Sequence, residues 1–253
     1  MDQQLVVSLP INITTYDDAA SVIGRWASLG EGRSVCAANV HVVMEAQDHP
    51  AYRQAVQSAD LITSDGMPLV WALRLLGWKG ATRVYGPSLM LRLLEKAERE
   101  GTPIGLYGST PETLDRLVDE ILIQFAGVEI AFKEAPPFRS LTPEEDRATV
   151  ERIRRSAARL LFVGLGCPKQ EYWMAEHKDQ IPAVLVGVGA AFDFIAGTKR
   201  QAPSWMQAAG LEWAFRLATE PRRLWRRYAQ HNPRFMTFLL AQMLHRPQAP
   251  AGR

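Results

Sequence analysis

Cysteine is scarce: Cys36 and Cys167 are the only two in 253 residues, and they form no CxxC pair. A disulfide framework is therefore excluded as an organising device, and both are read as small buried thiols of a chain suited to a reducing compartment. Long apolar runs are also missing. The best candidate, FMTFLLAQML (235–244), falls short of the ~18 residues a membrane span needs. The opening MDQQLVVSLP has neither the basic region nor the apolar stretch of a signal peptide. The expectation is a soluble or peripheral protein.

Metal and nucleotide signatures are absent as well. The five histidines, His41, His49, His177, His231 and His245, show no HxH or HExxH spacing, and there is no DxD. No metal and no cofactor are expected. GLG followed by CPKQE is not GxGxxG, and no acidic residue about twenty positions on suits a ribose, so a dinucleotide fingerprint is lacking. The net charge is only +2. The chain as a whole is thus no polyanion binder, and any electrostatic role must come from local clustering.

What is present is ordinary globular composition, 47% hydrophobic and 22% charged, with short β-rich runs alternating with longer helical patterns. SVCAANV (34–40), ADLITSDG (59–66), PIGLYGST (103–110), VEIAFKEA (128–135), RLLFVGLG (159–166) and AVLVGVGAAF (183–192) read as strands, some apolar throughout as in a sheet buried on both faces. Helices are expected near 43–58, over 67–77, over 111–125 behind Pro111, and over 142–157 behind Thr142. Such alternation predicts an α/β fold, a mostly parallel sheet with helices on both faces. Composition shifts near residue 196. The expected organisation is a core over 1–195, a basic helical appendage over 196–245, and a frayed tail over 246–253.

Ligands of open α/β sheets bind beyond the C-terminal strand ends. Those positions hold Asn39, Asp65-Gly66, the turn at Gly108, and GLGCPKQE. Small residues there either make tight connections or admit a phosphate to backbone N–H groups. Asp65 either shapes a turn or supplies a general base. Arg83 is either a surface charge or a phosphate contact. In EWAFRLATEPRRLWRRY (212–228), Arg222, Arg223, Arg226 and Arg227 fall within an arc of about 140° on a helix. Leu224, Trp225 and Tyr228 are expected opposite them. That amphipathic face suits solvent, a membrane surface or phosphate. Nucleic acid is not expected, since no nucleic-acid module is visible.

Several segments together resemble the WecG/TagA/CpsF glycosyltransferases (glycosyltransferase family 26). They are AAN with Asn39, ADLITSDGMPLVW with Asp65, TRVYGPSL with Arg83, PIGLYGSTPE, FVGLGCPKQE with Gln170, VGVGAAFDFIAG, and GLEWAFRLATEPRR. The similarity spans roughly residues 5–240. It implies a Rossmann-like core and metal-independent, inverting transfer of a sugar from a UDP-sugar, N-acetylmannosamine-type or hexose. The implied acceptor is a polyprenyl-diphosphate-linked saccharide on the cytoplasmic face of a bacterial membrane, in teichoic acid, exopolysaccharide or related synthesis. It further implies Asp65 as base, with Asn39, Arg83, Gln170, Gly108, Gly187, Gly189 and the arginines Arg216, Arg222 and Arg223 lining the substrate site. The appendage is implied to close over the site at an anionic membrane surface.

Two departures are visible. Ala190 stands where the family often has a third glycine, and Gln201 where it often has an arginine, with Arg200 one place earlier. A nucleotide-dependent oxidoreductase and a non-catalytic basic membrane adaptor are the competing readings. The sequence leaves the oligomeric state open, a homo-oligomer included.

Overall fold

The structure is a computed structural model and describes residues 1–245; the expected frayed tail, 246–253, lies outside the described residues. The chain opens with an antiparallel hairpin of β1 (Gln3–Val6) and β2 (Leu9–Asn12). Helix α1 (Tyr16–Leu29) follows, capped by the Thr15 side chain and ended by Gly30 in the left-handed region. The sequence pattern singled out neither the hairpin nor α1.

Next come β3 (Arg33–Ala38), α2 (Val40–Asp48), α3 (Pro50–Gln57), β4 (Leu61–Ser64), α4 (Met67–Leu75) and α5 (Gly86–Glu100). The single helix expected near 43–58 is in fact two. Pro50 removes an N–H and holds His49 in extended backbone, so α2 stops there and α3 starts afresh. The chain continues through β5 (Ile104–Gly108), α6 (Pro111–Gln124), β6 (Ile130–Glu134), α7 (Pro143–Arg155), β7 (Leu160–Gly164), α8 (Lys169–His177), β8 (Val184–Gly187) and α9 (Ala191–Ile195). Helix α7 carries a full capping box between Thr142 and Glu145. Three helices close the described chain: α10 (Ser204–Ala208), α11 (Glu212–Thr219) and α12 (Pro221–Leu244).

Strands β3 to β8 form one parallel sheet in the order β4-β3-β8-β7-β5-β6. Alternate residues of each strand serve opposite cores. Val35, Phe162, Val184 and Val186 pack with α1, α5, α6 and α9 on one face. Cys36 and Ile62, then Leu161, Val163 and Leu185, pack with α2, α4 and α8 on the other. Both faces are covered, which is why these strands read as continuous apolar runs. The expected parallel α/β sheet with helices on both faces is the observed fold.

Helix α12 is fastened to this body. Its Phe235 and Leu239 are buried among residues of α2, α4 and the hairpin. Arg234 makes a bidentate pair with Asp48 at 2.8 and 2.6 Å. Gln242 accepts from Val7 N–H at 2.8 Å and donates to Leu5 O at 2.7 Å, so it seals the hairpin edge. The buried stripe runs through Leu224, His231, Phe235 and Leu239, and Arg227 lies within it by helical spacing. Two expectations change as a result. Arg227 turns inward rather than joining the solvated basic face, and Trp225, expected on the apolar side, is 52% exposed.

Candidate active site

The C-terminal ends of β3 and β4 lie side by side, and this adjacency brings Asn39 to Asp65. Asp65 N–H continues the ladder to Ala38 O at 2.8 Å. Asn39 caps α2, its Oδ1 accepting from His41 and Val42 N–H. Its amide nitrogen reaches Asp65 Oδ2 at 3.4 Å. Asp65 Oδ1 accepts from Gly86 N–H at 2.7 Å, at the start of α5. A Cβ on Gly86 would stand 3.4 Å from that oxygen. Burial lifts the Asp65 carboxyl from 3.8 to about 6, against the opposing pull of Arg83 and the Gly86 N–H; the Glu212 charge adds to the rise. At neutral pH this carboxylate is mostly ionised and a stronger base than an ordinary Asp.

Arg83 is held by the protein itself. Its Nε donates to Asp65 O at 2.5 Å and a terminal nitrogen donates to Glu212 Oε2 at 2.6 Å. The guanidinium stacks 4.0 Å from the Tyr85 ring centroid. Tyr85 O–H donates to the other Glu212 oxygen at 2.8 Å, and Gln201, at the position of the family's frequent arginine, reaches the Tyr85 hydroxyl at 3.5 Å. These contacts make Arg83 a brace between Asp65 and α11. Glu212, the acid of the GLEW segment, is the partner that sequence reasoning missed.

Gln170 is buried in α8. Its Oε1 accepts from Gly189 N–H at 3.0 Å and its nitrogen donates to Glu171 at 3.1 Å. A Cβ on Gly187 would stand 2.5 Å from the Gln170 amide nitrogen, and one on Gly108 would stand 2.5 Å from the Gly164 backbone. These glycines let the turns after β5 and β8 close on their neighbours. Glu171, also missed, is buried beside Tyr52, Cys36 and Cys167, and burial raises its carboxyl pKa.

Two cavities, of about 360 and 420 Å³, meet over the strand ends; Asn39, Asp65, Arg216 and Arg227 line both. The larger is the more polar, walled by the turns at Ser109-Thr110 and Gly187–Gly189 and by Lys199 and Arg223. The Nε atoms of Arg216 and Arg227 are buried with no hydrogen-bond partner among the described residues. Burial, together with repulsion from Arg216 and Arg223, lowers the Arg227 guanidinium pKa. Neither Arg216 nor Arg227 has an ion-pair partner among the described residues, and a hollow lined by such charges suits an anionic ligand. Arg223 already pairs with Glu220 at 2.6 Å. Arg222 is exposed and lines neither cavity, so its position does not support the expected place in the substrate site.

The histidines are less scattered than their spacing implies. His41 and His231 meet edge to face, with centroids 5.1 Å apart, and Glu45 lies 3.7 Å from a ring nitrogen of each. Their ligand atoms lie within 4.8 Å of one another, a donor set able to hold a cation. Burial and the Arg227 charge bring His41 down to about 3, so it is neutral at pH 7. No helix among the described residues is long and apolar enough to cross a membrane.

The profile of the Glycosyl transferase WecG/TagA/CpsF family matches residues 4–249. The N-acetylglucosaminyldiphosphoundecaprenol N-acetyl-beta-D-mannosaminyltransferase of Bacillus spizizenii is 31% identical over 211 residues, which are 83% of this chain and 79% of that protein. These matches set aside the oxidoreductase and adaptor readings. The chain belongs to the WecG/TagA/CpsF family and is a hexosyl-transferring glycosyltransferase of cell-surface polysaccharide synthesis.

Proposed function

We propose that the chain transfers a sugar, N-acetylmannosamine-type or hexose, from a UDP-sugar to a saccharide linked to a polyprenyl diphosphate, with inversion and with arginines in place of a metal ion. The named relative supports the acceptor class, since its own acceptor is a sugar diphosphoundecaprenol. The observation that supports the reading is the pair of buried Nε groups of Arg216 and Arg227, without hydrogen-bond partners among the described residues, in the cavities that Asp65 also lines.

In the proposed step the acceptor hydroxyl oxygen attacks the anomeric carbon. The bond from that carbon to the UDP oxygen breaks, and UDP leaves with its electron pair. Asp65, through Oδ2, takes the hydroxyl proton. Asn39 and the Gly86 N–H hold the carboxylate in place. Arg216 and Arg227, with Arg223 and Lys199 nearby, stabilise the charge that builds on the leaving diphosphate. The turns at Ser109-Thr110 and Gly187–Gly189 offer backbone room for the donor. Arg83 acts as a brace for Asp65.

Peripheral seating on the cytoplasmic face of a bacterial membrane belongs to the same proposal. Arg222, Arg226 and Trp225 face outward on α12, and Leu240 and Leu244 are exposed further along it. In this proposal residues 1–195 form the catalytic core and 196–245 the lid. The test is turnover of UDP-sugars on a polyprenyl-diphosphate glycan with a chelator present. Transfer with inverted product stereochemistry supports the reading. Transfer that stops with chelator and returns with a divalent cation overturns the part given to the arginines.

A further inference from the structure

The smaller cavity is mostly apolar where the larger is polar. Met67, Trp71 and Leu75 recur every fourth residue along α4 and line one wall. Trp213 of α11 and Met236 of α12 line it as well, with the buried Phe235 and Leu239. Trp71 is 44% exposed, Leu75 60%, Trp213 41% and Met236 50%. Large apolar side chains scattered singly over a surface need no explanation, whereas four gathered around one cavity mark a binding site. The wall is shaped on purpose: Gly210 sits on the Trp71 ring with φ +71, and a Cβ there would stand 2.6 Å from the ring.

Charged residues line the apolar cavity too: Arg83 is paired with Glu212, and Asp65, Arg216 and Arg227 are shared with the polar neighbour, the two arginines having no ion-pair partner among the described residues. An occupant that is apolar along its length and anionic where it meets these two arginines fits such a lining. A room of about 360 Å³, at roughly 30 Å³ per water-sized group, takes on the order of a dozen carbons, or about two isoprene units.

We infer that this cavity binds the diphosphate-proximal isoprene units of the acceptor lipid, with Arg216 and Arg227, which line both cavities, set between its diphosphate and that of the donor. The inference rests on the proposed acceptor class and adds where its chain lies. The enzyme then reads the lipid directly, rather than meeting it only as a tether to the membrane. Each buried methylene is worth about fourfold in affinity, so two isoprene units make a large part of acceptor recognition.

Farnesyl diphosphate is a direct probe, because Trp71 and Trp213 report on the cavity by fluorescence in the full chain. Saturable quenching is expected, at least about tenfold tighter than inorganic pyrophosphate. Leu75→Glu and Met236→Glu, both at exposed positions, should each weaken farnesyl diphosphate about tenfold or more while leaving UDP affinity unchanged. With glycan acceptors of increasing prenyl length, wild-type kcat/KM should climb over the first two or three units and then level off, and Leu75→Glu should flatten that climb. Equal binding of farnesyl diphosphate and pyrophosphate overturns the inference, as does an unchanged length dependence in Leu75→Glu. Equal competition by a lysophospholipid also overturns it, since the cavity would then be a general lipid anchor. Failure of the transferase reading is distinguishable: the wild type would transfer no sugar to any prenyl acceptor, whatever farnesyl diphosphate does.

Discussion

The backbone N–H of Gly86 donates to Oδ1 of Asp65 at 2.7 Å, while Oδ2 has only the Asn39 amide at 3.4 Å. One oxygen is anchored and the other is available to a substrate proton. The asymmetry comes from the fold: after α4 the chain returns, Val84 N–H binds Ser64 O at 3.0 Å, and the first N–H of α5 is thereby brought to the carboxylate.

The pH dependence follows from that environment. With Asp65 lifted from 3.8 to about 6, kcat/KM should fall on the acid side with an apparent pKa near 6, as the base becomes protonated. Stability should respond in the opposite sense. Between pH 4 and 6 the folded state holds this proton and the unfolded state has lost it, so Asp65 makes stability fall as pH rises through about 6. Initial rates under subsaturating substrate, with parallel denaturant titrations, check both signs.

Glu212 should act on Asp65 from a distance. Glu212→Gln removes the ion pair with Arg83 at 2.6 Å, and a charged hydrogen bond of this kind is worth about 1.5–3 kcal/mol. The Glu212 charge raises the Asp65 pKa. The acid limb of the pH–rate profile should therefore move to lower pH in Glu212→Gln, with kcat reduced more than the donor KM rises. A loss of activity with the acid limb unmoved would reduce Glu212 to a structural contact.

The arginines should separate by direction. Arg216→Ala should lower kcat by about 10²–10³-fold, the usual loss when a preorganised charge-stabilising donor is removed. Arg222 is exposed and lines neither cavity, so Arg222→Ala should leave turnover of a detergent-dispersed acceptor close to wild type. Its effect should appear on anionic vesicles, where about 1 kcal/mol per arginine becomes a roughly fivefold weaker partition. Co-sedimentation at two salt concentrations measures it.

Arg227 should be costly to the empty enzyme. Its guanidinium is buried beside Arg216 and Arg223, and its pKa is lowered. Arg227→Met keeps the bulk and drops the charge. Ligand-free stability should rise, by on the order of 1 kcal/mol, while the thermal shift on adding UDP should shrink.

Much of this was legible in the sequence. The apolar runs at 159–166 and 183–192 announced strands buried on both faces, and the residues after β3 and β4 announced where a ligand would bind. Asn39 and Asp65 were readable because they end adjacent strands. Arg227 was placed on the wrong face. A helical wheel drawn over 222–228 cannot see that α12 is oriented by Phe235 and Leu239, two to three turns further on. The role of Glu212 is invisible in its local sequence, because its partners Arg83 and Tyr85 lie more than a hundred residues earlier. The meeting of His41 with His231 escaped for the same reason. Local spacing finds metal donors within one element and not between α2 and α12.

Asp65→Asn tests the proposed role of Asp65 as the base. The amide keeps an acceptor for Gly86 N–H and loses the charge. Turnover of UDP-sugar on the prenyl-diphosphate acceptor should drop about 10²–10⁴-fold. Stability at pH 7 should rise by about 1–3 kcal/mol, since a carboxylate whose ionisation is disfavoured by burial has been removed. A folded, stabilised and nearly inactive variant is the predicted result. A folded Asp65→Asn protein with near-normal turnover would show that another group takes the proton.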